Sequence, residues 1–197
     1  MKKKRDFNFK EEYSESWKYI KNSQFFIYEV ISVFLLFALI GFFVSPPEPV
    51  REQLLNFIAE LLKKTEGMSQ GQLISFIFFN NLQSSFISML FGAVLGIFPM
   101  LSSLVNGYVL GFVSSLSVAE EGVLSLLRLL PHGIFELPAI FISLGLGVKL
   151  GTSLFHKNKY ETFREYLIKS LKVFILIIIP LLVIAGVIEG SLIFLAS

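Results

Sequence analysis

The side chains able to do chemistry in this 197-residue chain are few. Cysteine is absent, which removes disulfides, thiolate metal sites and thiol nucleophiles from consideration. Within long apolar stretches lie three carboxylates, Glu29, Glu136 and Glu189, one imidazole, His132, and the amides Asn80, Asn81 and Asn106. A carboxylate at membrane depth is costly and usually faces a bundle interior or a water-filled cavity, so each marks a candidate site. Glu29 stands near the end of its stretch, where a long side chain can snorkel to the interface. His132 and Glu136 are four residues apart in Pro131-His132-Gly133-Ile134-Phe135-Glu136-Leu137-Pro138. That spacing stacks them on one helical face. With Glu189, they form an acceptable ligand set for zinc or another divalent cation. Such a centre would support metal-assisted hydrolysis, although the spacing His-Glu-x-x-His is absent.

The elements that must carry these residues follow from composition. The chain is 54% hydrophobic and 16% charged, with 22 Phe, whereas a soluble domain carries about 25% charged residues. Most of its surface must therefore face hydrocarbon, which excludes a secreted disulfide scaffold, a nucleic-acid binder and a soluble enzyme. A spanning helix needs about 20 apolar residues, and the sequence predicts five, at 24–45, 73–98, 100–118, 132–154 and 171–196. The expected fold is an all-α polytopic transmembrane bundle, with a basic segment over 1–23 and a single membrane domain over 24–197. Thirteen of the 17 Lys and Arg residues lie on one side: seven before span one, five between Lys157 and Lys172, and Lys149. The four left for the other side are Arg51, Lys63, Lys64 and Arg128. The positive-inside rule then predicts a plasma-membrane protein with its N-terminus cytoplasmic and its C-terminus external. The long charged segment before span one lacks a small-residue cleavage site and reads as preceding a retained anchor rather than as a secretory signal.

Two segments between spans have patterns of their own. Apolar residues at 54, 55, 58, 61 and 62 follow Pro46, Pro47 and Pro49, predicting an external amphipathic helix that lies on the membrane surface or caps the bundle. Residues 119–131 are apolar in part but too short to span, and read as an interfacial or re-entrant segment broken at Pro131.

Depth arithmetic at 1.5 Å per residue places Asn80 and Asn81 about 10–12 Å into span two, and Glu189 about 27 Å along span five. Both levels fall in the outer half, beside His132 and Glu136. The expectation is one shared polar site of Asn80, Asn81, His132, Glu136 and Glu189, with Asn106 apart as a helix-helix hydrogen bond or helix-end cap. Four Gly-x-x-x-Gly pairs, Gly92/Gly96, Gly107/Gly111, Gly147/Gly151 and Gly186/Gly190, occupy spans two to five. Small residues at this spacing let helix backbones approach closely in lipid. They predict a tight core of spans two to five, a peripheral span one, and self-association through a glycine-lined face.

Asn80-Asn81, Gly92, Gly96, Pro99, Asn106-Gly107, the run Pro131 to Ala139, and Ala185-Gly186-Val187-Ile188-Glu189 together resemble the stage II sporulation protein M family. The resemblance covers roughly residues 20–195 and is most specific in Pro-His-Gly-x-x-Glu-Leu. It implies about five spans. The founding bacterial member implies a membrane complex with peptidoglycan-degrading partners during engulfment, but relatives in lineages without sporulation keep that role from being transferred. The chain departs from the pattern at Gly186 and Gly190, where alanine is expected. Three functions follow: a membrane-complex component with a polar or ion-binding intramembrane site, a small permease or channel-like transporter, and an intramembrane metal-dependent hydrolase. The bilayer, a second copy of the chain and other membrane or envelope proteins are the expected partners, with no nucleic acid.

Overall fold

The computed structural model describes residues 8–196, with 128–132 and 196 described by their backbone alone. Every element among them is helical: α1 (Phe9–Lys21), α2 (Gln24–Phe43), α3 (Glu48–Thr65), α4 (Gln70–Phe91), α5 (Ile97–Glu121), α6 (Leu130–Thr152), α7 (Lys159–Val173) and α8 (Ile179–Ala196). Among the described residues, five helices are long and apolar enough to cross a membrane: α2, α4, α5, α6, and α7 with α8 as one continuous rod. Their outer faces remain apolar, with Phe25, Leu35, Leu36 and Leu39 of α2 all more than half exposed. In a soluble protein such a surface would aggregate; in a bilayer it meets lipid.

The rod α7–α8 is continuous but not regular. Pro180 offers no N–H to the carbonyl four residues back, and its ring crowds that turn. The chain responds with a π-helical turn over Phe174–Ile178, closed by the Ile179 N–H donating to the Phe174 carbonyl. Phe174, Ile177 and Ile178 point this wide turn into the core, beside Met89, Leu146 and Leu182.

Glycines set the helix crossings. The turn between α4 and α5 lies against α6, where a Cβ at Gly151 would come within 2.6 Å of the Leu95 carbonyl carbon. Leu95 and Gly96 in that turn have φ of 55° and 71°. A side chain at Leu95 tolerates this left-handed geometry only because α6 packs against the turn. Gly190 passes Ile74 of α4 equally closely.

The first span is not peripheral. Gly107 and Gly111 of α5 face α2, where an added Cβ would strike the backbone at Phe34 and Ala38, and α2 against α5 is the most extensive helix pair in the molecule. Gly41 of α2 returns the contact at Tyr108, and the Ser103 hydroxyl donates to the Val30 carbonyl at 2.8 Å.

No residue of α3 is fully buried. On one side of the helix Leu54, Ile58 and Leu61 are half-buried, while Val50, Leu55, Phe57 and Leu62 are exposed. After Gly122, residues Val123–Leu129 form a 3₁₀ segment with Val123 and Leu124 largely exposed. The break expected at Pro131 falls instead between this segment and Leu130. Pro131 lies in the first turn of α6, where a missing N–H forfeits no helical bond.

Candidate functional site

A cavity of about 260 Å³ opens between α4 and α5, with α6 behind it. Its floor carries Glu136, which is only 3% exposed. Asn80, Asn81, Ser84 and Ser88 of α4 line one wall, and Ser102 and Asn106 of α5 line the other. The cavity exists because α4 and α5 touch each other far less than α5 touches α2 or α4 touches α6 and α8. The Ser143 hydroxyl donates to the Ser85 carbonyl at 2.9 Å, pinning α6 to α4 beside the cavity.

Asn106 is part of this cavity rather than apart from it. It lies nine residues after the start of α5, while Asn80 lies eleven before the end of α4, so the tight turn between the helices brings the two to similar height. The Asn106 amide nitrogen donates to the Ser102 carbonyl at 2.8 Å and approaches the Ser102 hydroxyl at 3.2 Å. The Asn80 amide reaches the Asn81 oxygen at 3.5 Å. Pro138 follows two residues after Glu136 inside α6, freeing the carbonyl of Ile134 from its helical bond.

Glu189, half-buried on α8, is not among the described residues lining the cavity. The side chain of His132 lies outside the described residues, while its backbone occupies the first turn of α6. Among the described residues, no group of three His, Cys, Asp or Glu side chains converges as a metal site. Among the described residues lining the cavity, the groups beside Glu136 are amides and hydroxyls, whose oxygens suit a hard cation.

Sequence reasoning counted Lys149 only as a charge near the end of a span. It is a buried tether, 7% exposed. Its ammonium donates to the Ser23 hydroxyl at 2.9 Å and the Asn22 carbonyl at 3.4 Å. It also lies 4.1 Å from the Tyr19 ring centroid and 5.2 Å from that of Tyr166. One cation thus ties the turn between α1 and α2 to α6 and α7. Burial pushes the Tyr19 phenol above its ordinary range, so that ring stays neutral beneath the cation. A lysine in the otherwise apolar run Leu144 to Leu150 was the available signal.

The family model for stage II sporulation protein M matches residues 30–192. The chain belongs to that family. An uncharacterized protein of Methanocaldococcus jannaschii is 32% identical over 175 residues, covering 86% of this chain and 78% of the relative. No solved structure matches. The polar cavity lies wholly within the family-matched region, and the protein is a multi-pass membrane protein of this family.

Proposed function

We propose that the protein is a component of a membrane complex whose polar cavity holds a cation at Glu136. The observation that carries this reading is a buried carboxylate at the floor of a cavity walled by Asn80, Asn81, Ser84, Ser88, Ser102 and Asn106. Carboxylate, amide and hydroxyl oxygens replace the hydration shell of a hard cation or of an ammonium group. His132, four residues before Glu136 in the sequence, is the residue through which a divalent metal such as zinc would bind. Asn80, Ser84 and Asn106 are exposed at the cavity's edge. Polar groups are costly against hydrocarbon, so this edge is where a second copy or another membrane or envelope protein would pack. The glycine faces are already occupied inside one protomer.

The orientation proposed with this reading puts the N-terminus in the cytoplasm of a plasma-membrane protein. Its support is that α1 and α7, which carry seven of the 17 Lys and Arg residues, pack together at one end of the bundle. The cavity reading is tested by thermal unfolding of the detergent-purified chain titrated with sodium, potassium, ammonium, magnesium, calcium and zinc. A cation that binds the folded state alone raises the melting temperature. The reading requires such a rise for at least one cation and its loss in Glu136→Gln. Equal responses in both proteins would overturn it.

A transport role is the second reading, favoured by the helix break before Leu130 and by Pro138 beside Glu136. Discontinuous helices at a polar intramembrane site are a feature of transporters. Cation-driven flux into vesicles containing the purified chain, absent with Glu136→Gln, would select it.

A further inference from the structure

Helix α1 has a face that the bundle leaves open. Ser16, Tyr19 and Ile20 are buried, with the Tyr19 ring tilted against that of Tyr166 of α7. Phe9, Tyr13 and Trp17 follow one another at helical spacing along the adjoining flank and are 60%, 40% and 40% exposed. Their rings form a continuous stripe, with centroids 6.2 Å and 6.3 Å apart. At 3.6 residues per turn, Lys10 and Lys21 border the open edge of this stripe, while Glu11 and Glu15 fall on the opposite side.

The position of α1 says what covers the stripe. Only Asn22 and Ser23 separate α1 from the membrane-crossing α2. The other end of α1 is tied back, because Glu12 pairs with Lys172, two residues before the buried π-helical turn of the α7–α8 rod. Both ends of α1 are therefore fastened to the bases of spanning helices, which holds the helix at the boundary of the apolar layer. Aromatic side chains with apolar bodies and polar tips are the residues that settle at that boundary, and lysines beside them reach phosphate.

We propose that α1 is an interfacial helix docked on the phospholipid surface, with Phe9, Tyr13 and Trp17 in the layer between headgroups and acyl chains and with Lys10 and Lys21 at headgroup phosphates. The site lies at the opposite end of α2 from α3, and it does not depend on the cation reading of the cavity.

Trp17 is the single tryptophan of the chain, so its emission reports this face alone. The full chain is reconstituted into phosphatidylcholine vesicles whose acyl chains carry bromine near the headgroup, and is compared with unbrominated vesicles. About half or more of the Trp17 emission is expected to be quenched by bromine, with little quenching by acrylamide in the water, as for a ring at the headgroup boundary. Replacing Phe9 and Tyr13 by Ser should shift quenching from bromine towards acrylamide. Strong acrylamide quenching with no bromine effect in the unaltered chain would overturn the proposal in favour of a solvent-facing helix. Protection from both quenchers would overturn it in favour of a protein partner or a second copy.

Discussion

Gly111→Ala is the sharpest test of how the bundle is held together. A Cβ at position 111 would lie 2.8 Å from both the Ala38 carbonyl carbon and the Phe42 nitrogen, and closer still to the Ala38 oxygen. All of these are backbone atoms, so no side chain can rotate away. Carbon contacts are optimal at about 3.5–4.0 Å, which obliges α2 and α5 to part by roughly 1 Å. A gap of that size forfeits about a quarter to a half of the dispersion energy of the facing atoms, and this is the most extensive helix pair in the protein. Overpacking of this kind costs about 1–3 kcal/mol, and the length of the interface argues for the upper part of that range. Gly71→Ala is the control, because nothing lies within 4 Å of its added Cβ and alanine is favoured in a helix by up to about 1 kcal/mol. Denaturation in detergent followed by Trp17 fluorescence should thus show opposite signs for the two substitutions. A Gly111→Ala protein within about 0.5 kcal/mol of the parent, the usual range for unremarkable surface changes, would refute the claim that α2 belongs to the tight core.

Lys149→Met removes a charged hydrogen bond and a cation–π contact while relieving a buried charge, for a net loss of about 1–3 kcal/mol. The same denaturation should also show faster proteolysis at the turn between α1 and α2; unchanged stability and cleavage would contradict the tether. For topology, exposed Lys157→Cys should resist an impermeant thiol reagent in intact cells and Glu60→Cys should react, since the chain has no cysteine of its own. The reverse pattern would invert the orientation. Glu189→Gln should retain whatever cation response the parent shows, because Glu189 is not among the described residues lining the cavity. Loss of the response in both Glu189→Gln and Glu136→Gln would instead join the two carboxylates in one site.

The spans were legible because crossing a bilayer is a one-dimensional demand on length and apolarity, which Gln24–Phe43 or Ile97–Glu121 meets without reference to any neighbour. The pairing of those spans was not. Glycine pairs mark a close approach but do not say which helix approaches, so Gly107 and Gly111 gave no hint of α2, and the lone Gly41 that meets Tyr108 belongs to no pair. Asn106 was misplaced by a boundary. Starting its span at residue 100 rather than Ile97, and missing the tight turn after Phe91, put it in a separate layer from Asn80. The amphipathic pattern of α3 was visible, but whether its face meets protein depends on tertiary packing. Lys149 shows the same limit, because its partners Ser23, Tyr19 and Tyr166 come from segments far away in the chain.

The central claim is that Glu136 is the carboxylate that meets a cation inside the bundle. Infrared difference spectroscopy of the reconstituted protein, recorded on exchanging one cation for another, reads carboxylate stretching directly. The account predicts a cation-dependent carboxylate band in the parent protein that is absent from Glu136→Gln and present in Glu189→Gln. An identical cation-induced difference spectrum in the parent and in Glu136→Gln would contradict it.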